Sequence, residues 1–153
     1  MLSAGCEIGN HANSGATIHQ LSKEAVLENF NACQNAVYAQ TGVYPKVFRA
    51  PGLAMSADAF SVIPIPCMGG YSLNGDWKAE MTYETRLTRL RKAIGDGRVV
   101  LIHDMEQNAP VLEVVIPEAI NNGYKIVTAT ELYTLRGYAT PKYAEVQYEE
   151  FAK

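Results

Sequence analysis

The 153-residue chain has the length of about one domain, and its 48% hydrophobic and 19% charged residues are those of an ordinary globular protein, not a disordered or fibrous one. A net charge of −3 excludes the clustered positive field that a nucleic-acid or anionic-membrane binder carries. No run approaches the roughly 18 consecutive apolar residues of a membrane span, and the first residues form neither the basic nor the apolar region of a signal peptide, so neither a nucleic-acid nor a membrane partner is expected.

Taken from the N-terminus onward, Gly5-Cys6-Glu7-Ile8-Gly9-Asn10 reads as the end of a first strand. Ser22 followed by Lys23-Glu24 is a helix start with an acid in the first turn, and Val26, Leu27, Phe30, Cys33, Val37 and Tyr38 recur at helical spacing until Gly42. Lys46-Val47-Phe48-Arg49 is a short strand closed by Ala50-Pro51-Gly52, and Cys67 to Leu73 is a weaker one before the turn Asn74-Gly75. A second helix follows from Thr82, with Leu87, Leu90 and Ile94 on one face and Arg86, Arg89 and Arg91 between them. Arg98-Val99-Val100-Leu101-Ile102-His103 is the clearest strand, an apolar branched run that predicts cover on both faces. Pro110 opens a third helix that Gly123 ends, and Tyr124-Lys125-Ile126-Val127-Thr128 reads as another buried strand. Strands alternating with helices predict an α/β fold with parallel strands. The tail from Gly137, rich in Tyr and Glu, reads as a C-terminal extension, which gives a domain over 1–136 and an extension over 137–153.

Cys6, Cys33 and Cys67 lie far apart without CxxC spacing, which argues against a thiolate metal site; the simplest reading is three small buried residues, with one disulfide left open.

In a parallel α/β fold, chemistry gathers at the C-terminal ends of strands. Four polar clusters fall there: His11, Arg49-Ala50-Pro51, Asp76-Trp77 and His103-Asp104. Each alone has an ordinary structural explanation. Their shared position is what marks them as a candidate site.

These clusters carry a resemblance. Glu7-Ile8-Gly9-Asn10-His11-Ala12-Asn13-Ser14-Gly15, Phe48-Arg49-Ala50-Pro51-Gly52, Gly75-Asp76-Trp77 and Val100-Leu101-Ile102-His103-Asp104 resemble, in order and approximate spacing, the motifs of NodB-type polysaccharide deacetylases, carbohydrate esterase family 4. The similarity continues through Ile116-Pro117-Glu118 and Val127-Thr128-Ala129-Thr130-Glu131-Leu132. Gly52-Leu53-Ala54 after the proline looks closer to the acetylxylan esterase branch.

The resemblance implies a distorted (β/α) barrel and metal-dependent hydrolysis of N- or O-acetyl groups on a polysaccharide or oligosaccharide. It implies that His103 is the general acid held by Asp76, that Arg49 orients the base, and that Leu101 and Trp77 line the acetyl pocket and groove wall. The backbone near Pro51 and Gly52 would bind the oxyanion, and His11 would ligate a divalent metal such as zinc or cobalt.

Two departures qualify it. The family's second metal histidine falls at Gly15, which has no side chain, and His19 lies where the family usually has Ser or Thr. The Thr-Phe-Asp-Asp-Gly motif, which holds the base and the metal carboxylate, should precede His11 by several tens of residues, yet only ten residues do and the four aspartates (Asp58, Asp76, Asp96, Asp104) include no adjacent pair.

The expectation is therefore an incomplete barrel, with its first strand and helix missing, from a longer parent that is secreted or held at the cell surface. Metal binding and activity are expected to be weak. The exposed sheet edge would invite a homo-oligomer or strand exchange. The alternative is a non-catalytic carbohydrate-binding relative.

Overall fold

A computed structural model of the protein describes residues 1–14 and 18–137. The polypeptide divides into two compact units, Met1–Gly69 joined by the stretch from Thr128, and Gly70–Val127. The expected extension beyond Gly137 lies outside the described residues.

The first unit is built on helix α1, Lys23–Thr41, whose start and stop are those read from the sequence. Ser22 caps it by accepting from the Ala25 amide, and Gly42 ends it with φ 72°, a left-handed conformation that costs a glycine least. Its buried residues Val26 and Phe30 pack with Ile18, Phe48, Ala50, Ala59, Ile63 and Cys67. The Phe30 and Phe48 rings meet edge to face at 5.9 Å, an arrangement worth about 0.5–1.5 kcal/mol beyond the area it buries.

Phe48 is also the centre of the backbone pairing, bridging in parallel to Asn10 on one side and Cys67 on the other. Asn10 N–H donates to Val47 C=O and Arg49 N–H to Asn10 C=O; Phe48 N–H donates to Pro66 C=O and Met68 N–H to Phe48 C=O. The expected strands at 5–10 and 46–49 thus shrink to bridges at single residues, that at 67–73 to a bridge at Cys67 and a two-residue strand, Tyr71–Ser72, and Gly5 instead closes a 3₁₀ turn, Leu2–Ala4.

Two short helices complete this unit, neither read from the sequence: α2, Ala57–Val62, capped by Ser56, and α5, Ala129–Leu135, capped by Thr128. Thr128-Ala129-Thr130-Glu131 is the Thr-x-x-Glu pattern of a helix start. The Glu7 carboxylate ties the N-terminal segment to α5, accepting from Thr130 N–H at 2.9 Å and from the Thr130 hydroxyl.

The second unit holds the parallel pair β1, Tyr71–Ser72, and β2, Val100–Leu101, in register Tyr71 to Val100 and Ser72 to Leu101. Just before β1 the backbones run so close that a Cβ at Gly70 would meet Leu101 Cβ and Val99 O at 3.2 Å. Helix α3, Tyr83–Ala93, starts at Thr82 as expected, and α4, Ala109–Asn121, carries Pro110 in its first turn, where a missing N–H costs nothing. Leu73, Leu87, Leu90, Val111 and Val115 form the core between them. On the outer side Arg91 grips Glu118 through two hydrogen bonds of 2.8 and 2.6 Å, and this contact holds the Glu118 carboxyl below its ordinary pKa.

Arg86 and Arg89 depart from a simple polar face. Arg86 is 3% exposed, and its guanidinium donates to the carbonyls of Asp76 (3.3 Å), Lys78 (2.6 Å) and Met81. Arg89 donates to those of Leu73 and Asn74. The loop after β1 turns its carbonyls toward α3, and buried carbonyls need donors.

Of two strand expectations in this unit, one is shortened and one fails. Of residues 98–103 only Val100 and Leu101 pair as strand. Residues 124–128, expected as a buried strand, form none; Tyr124 and Ile126 are exposed, Ile126 by 60%. Among the described residues the amides of Lys125, Ile126 and Val127 make no backbone hydrogen bond, so an apolar run alone did not secure a ladder. The cysteines are free thiols, with Cys6 exposed against expectation, Cys33 half-buried and Cys67 buried, its pKa pushed up to about 12 by desolvation. Among the described residues no helix is long and apolar enough to cross a membrane.

Hydrogen exchange checks the unpaired segment. The amides of Lys125, Ile126 and Val127 are expected to exchange as freely as those of an exposed loop while those in the middle of α4 stay protected. Protection at 125–127 equal to that of α4 would contradict the arrangement.

Candidate functional site

The candidate residues divide between the units: His11, Arg49, Pro51 and Gly52 in the first, Asp76, Trp77, Leu101 and His103 in the second.

In the first unit the Asn10–Phe48 bridge sets the geometry, because it brings the residues that follow, His11 and Arg49, side by side at the C-terminal ends of parallel segments. Asn10 is 1% exposed and pins the turn. Its side-chain NH₂ donates to Phe30 C=O and to Gln34 Oε1, both at 3.0 Å, and its Oδ1 accepts from Ala12 N–H at 2.9 Å. His11 Nδ1 lies 2.6 Å from Arg49 C=O. A carbonyl only accepts, so Nδ1 carries the proton and the neutral ring has its lone pair on Nε2. This is the same device by which a carbonyl orients a metal-binding histidine.

Arg49 meets His11 through its backbone. Its side chain is half-buried, and that burial draws the guanidinium pKa below the ordinary arginine value. Pro51 is buried, and the backbone then turns through Gly52 at φ 61° and Leu53 at φ 57°.

A catalytic metal usually takes three protein ligands. Among the described residues no three His, Cys, Asp or Glu groups meet at such a site. His19 is exposed on the turn Ile18–Gln20, and Gly15 lies outside the described residues. In the first unit the described residues thus bring no three such groups together around His11.

The second unit carries the tighter cluster. Asp76 follows β1 and His103 follows β2, again at the C-terminal ends of a parallel pair. The Asp76 side chain is fully buried while that of His103 is 41% exposed. Asp76 Oδ2 accepts from the His103 amide at 2.6 Å and from Asn108 Nδ2 at 2.9 Å; Oδ1 accepts from His103 Nδ1 at 2.9 Å. An ionised carboxylate only accepts, so the ring proton sits on Nδ1, and Nε2 is the nitrogen that meets the outside. Trp77, 46% exposed, stands edge to face with the His103 ring at 4.9 Å. Leu101 is buried in β2, two residues before His103.

Sequence reasoning missed Asn108, Asn10 and the inward Arg86 and Arg89. Asn108 was visible as an Asn ahead of Ala109-Pro110, the place of a helix cap, but nothing along the sequence says that its amide turns to Asp76. Backbone strain marks the same loops: the three described non-glycine residues with positive φ are Ala12 (65°), Leu53 (57°) and Asn74 (52°). Each sits within four residues of a candidate, beside His11, Arg49 and Asp76. Such conformations persist where the surroundings over-determine them, and they cluster at functional sites.

Comparison with known proteins gives a consistent result. The family profile described as polysaccharide deacetylase matches residues 1–63. The chain is 25% identical over 137 residues to a bifunctional xylanase/deacetylase of Pseudobutyrivibrio xylanivorans, covering 87% of this chain and 22% of that protein. It is 29% identical over 133 residues to the peptidoglycan-N-acetylmuramic acid deacetylase PdaC of Bacillus subtilis, covering 86% and 28%. The chain thus spans about a quarter of the length of these curated relatives. A family 4 acetyl xylan esterase from Clostridium thermocellum, solved in complex with a cobalt ion, superposes with a TM-score of 0.84 at 32% identity, over 93% of this chain and 70% of that one.

Two measurements test the first-unit geometry. Ala12→Gly should raise stability by about 0.5–1 kcal/mol, the relief of a left-handed Cβ (~1–2 kcal/mol) less the added unfolded-state entropy; unchanged or lowered thermal stability would argue against the strain. Calorimetric titration with zinc or cobalt is expected to show no tight one-to-one binding. Submicromolar binding that His11→Ala abolishes would require ligands beyond those described.

Proposed function

The chain belongs to the polysaccharide deacetylase family, carbohydrate esterase family 4, and from that membership we propose that it carries the acid side of a hydrolytic deacetylation of an acetylated polysaccharide. The observation that supports this most is the arrangement on Asp76: a buried carboxylate holds the His103 ring by Nδ1 and leaves Nε2 toward the outside, with Trp77 at its edge.

In this reading an acetylated sugar lies along Trp77 with its acetyl methyl toward Leu101. Water adds to the acetyl carbonyl, the bond from that carbon to the sugar nitrogen or oxygen breaks, and acetate leaves. The imidazolium of His103 gives its Nε2 proton to the departing amine or hydroxyl. Asp76 keeps the positive ring in place and balances its charge.

The adjacent aspartates that hold the base and the metal carboxylate in the family's motif have no counterpart among the 153 residues, where no two aspartates are adjacent. They would come from a segment outside this sequence. Xylan, chitin and peptidoglycan all present the required acetyl group.

The test is acetate release from acetylated xylan and chitooligosaccharides by three proteins: this chain, the same polypeptide extended with a segment bearing an Asp pair, and that extension with His103→Ala. The short form should be near background and the extended one strongly active, and His103→Ala should remove about 10²–10⁴-fold of the rate. Brisk release by the short form would refute the division of labour. Saccharide binding without release, even when extended, would point to a non-catalytic carbohydrate-binding protein.

A further inference from the structure

We propose that Asn108 is a positioning residue for His103, acting through Asp76 to hold the imidazole in its Nδ1–H form. The inference rests on the reading of His103 as proton donor and assigns a role to a residue outside the deacetylase motifs.

Three observations carry it. First, both protons of the Asn108 amide are used on this cluster: Nδ2 donates to Asp76 Oδ2 and to the backbone carbonyl of His103, each at 2.9 Å. Second, Asn108 stands at the N-cap of α4, where an Asn side chain normally accepts from the helix amides, yet it makes no cap bond. Third, it is 1% exposed and its buried Oδ1 has no protein partner among the described residues. An asparagine serving only the fold would satisfy its carbonyl. This one is oriented by what its NH₂ must reach.

The consequence lies in how donors are shared on the carboxylate. Oδ2 takes the His103 amide and Asn108, so Oδ1 is the oxygen left for the His103 ring. The carboxyl torsion of an aspartate is broad, so one amide donor alone would leave the plane of the carboxylate loose. Two donors on Oδ2, from different places along the sequence, stop the rotation. The ring is then held at Nδ1, and Nε2 becomes the working nitrogen.

Nitrogen-15 imidazole spectra of the 153-residue protein at about pH 8.5, well above the ordinary histidine value, test this. His103 should show a single Nδ1–H tautomer. In Asn108→Ala it should lose that signature and become a mixture with Nε2–H, while His11 and His19 stay as they were. A residue that merely supported the helix would lower thermal stability and leave the tautomer alone, so a folded Asn108→Ala protein with an unchanged His103 ring overturns the proposal. Should that variant fail to fold, the unaltered protein decides: both Nδ2 protons of Asn108 should be protected from exchange, and exchange at the rate of an exposed asparagine side chain would also overturn it. Neither spectrum depends on acetate release, so this inference and the deacetylation reading fail separately.

Discussion

A carboxylate with no access to water is the constraint on which the second unit depends. Asp76 is fully buried, and an unpaired charge there would be expensive. Three N–H donors converge on it, from the His103 backbone, the His103 ring and Asn108. Each donor fixes an element: β2 must end where the His103 amide reaches Oδ2, the turn before α4 must bring Asn108 inward, and the loop after β1 must hold Asp76 still. The need to satisfy one buried group thus gathers residues 32 positions apart and, as a by-product, aims an imidazole.

The first unit uses a neutral version of the same logic. Asn10 is buried at the end of a parallel bridge and satisfies both halves of its amide on α1 and on the next turn, which sets His11 against Arg49. In both units a short parallel pairing ends and a buried polar side chain fixes the departing backbone. A histidine then presents Nε2 because its Nδ1 is occupied. Strained residues stand at both places, as expected where the path of the backbone is dictated by a site and not by local preference.

Much of this was legible in the sequence. The ends of α1 and the start of α3 could be read because Ser22, Gly42 and Thr82 act locally, through bonds to residues three or four away. The motif residues could be read because their order and spacing resemble those of a known family. What could not be read depends on partners distant in sequence. The strand at 124–128 looked buried because Ile126 and Val127 are branched and apolar, but a strand exists only where another segment pairs with it. The inward turn of Arg86, read only as lying between the apolar positions of α3, could not be seen because the loop carbonyls that draw it lie 5 to 10 residues earlier, in a stretch with no pattern of its own. Asn108 drew no notice because sequence position shows where a side chain starts and not where it points.

The grip of α3 on the loop that carries Asp76 and Trp77 has an evolutionary consequence. Arg86 and Arg89 hold the carbonyls of Leu73, Asn74, Asp76, Lys78 and Met81, and none of those bonds involves a side chain of the loop. Every amino acid offers the same carbonyl. The exposed positions Lys78, Ala79 and Glu80 can therefore drift in identity while the backbone path, and with it the seat of Asp76, stays the same. Variation in what the surface presents is thereby decoupled from the buried carboxylate beneath it.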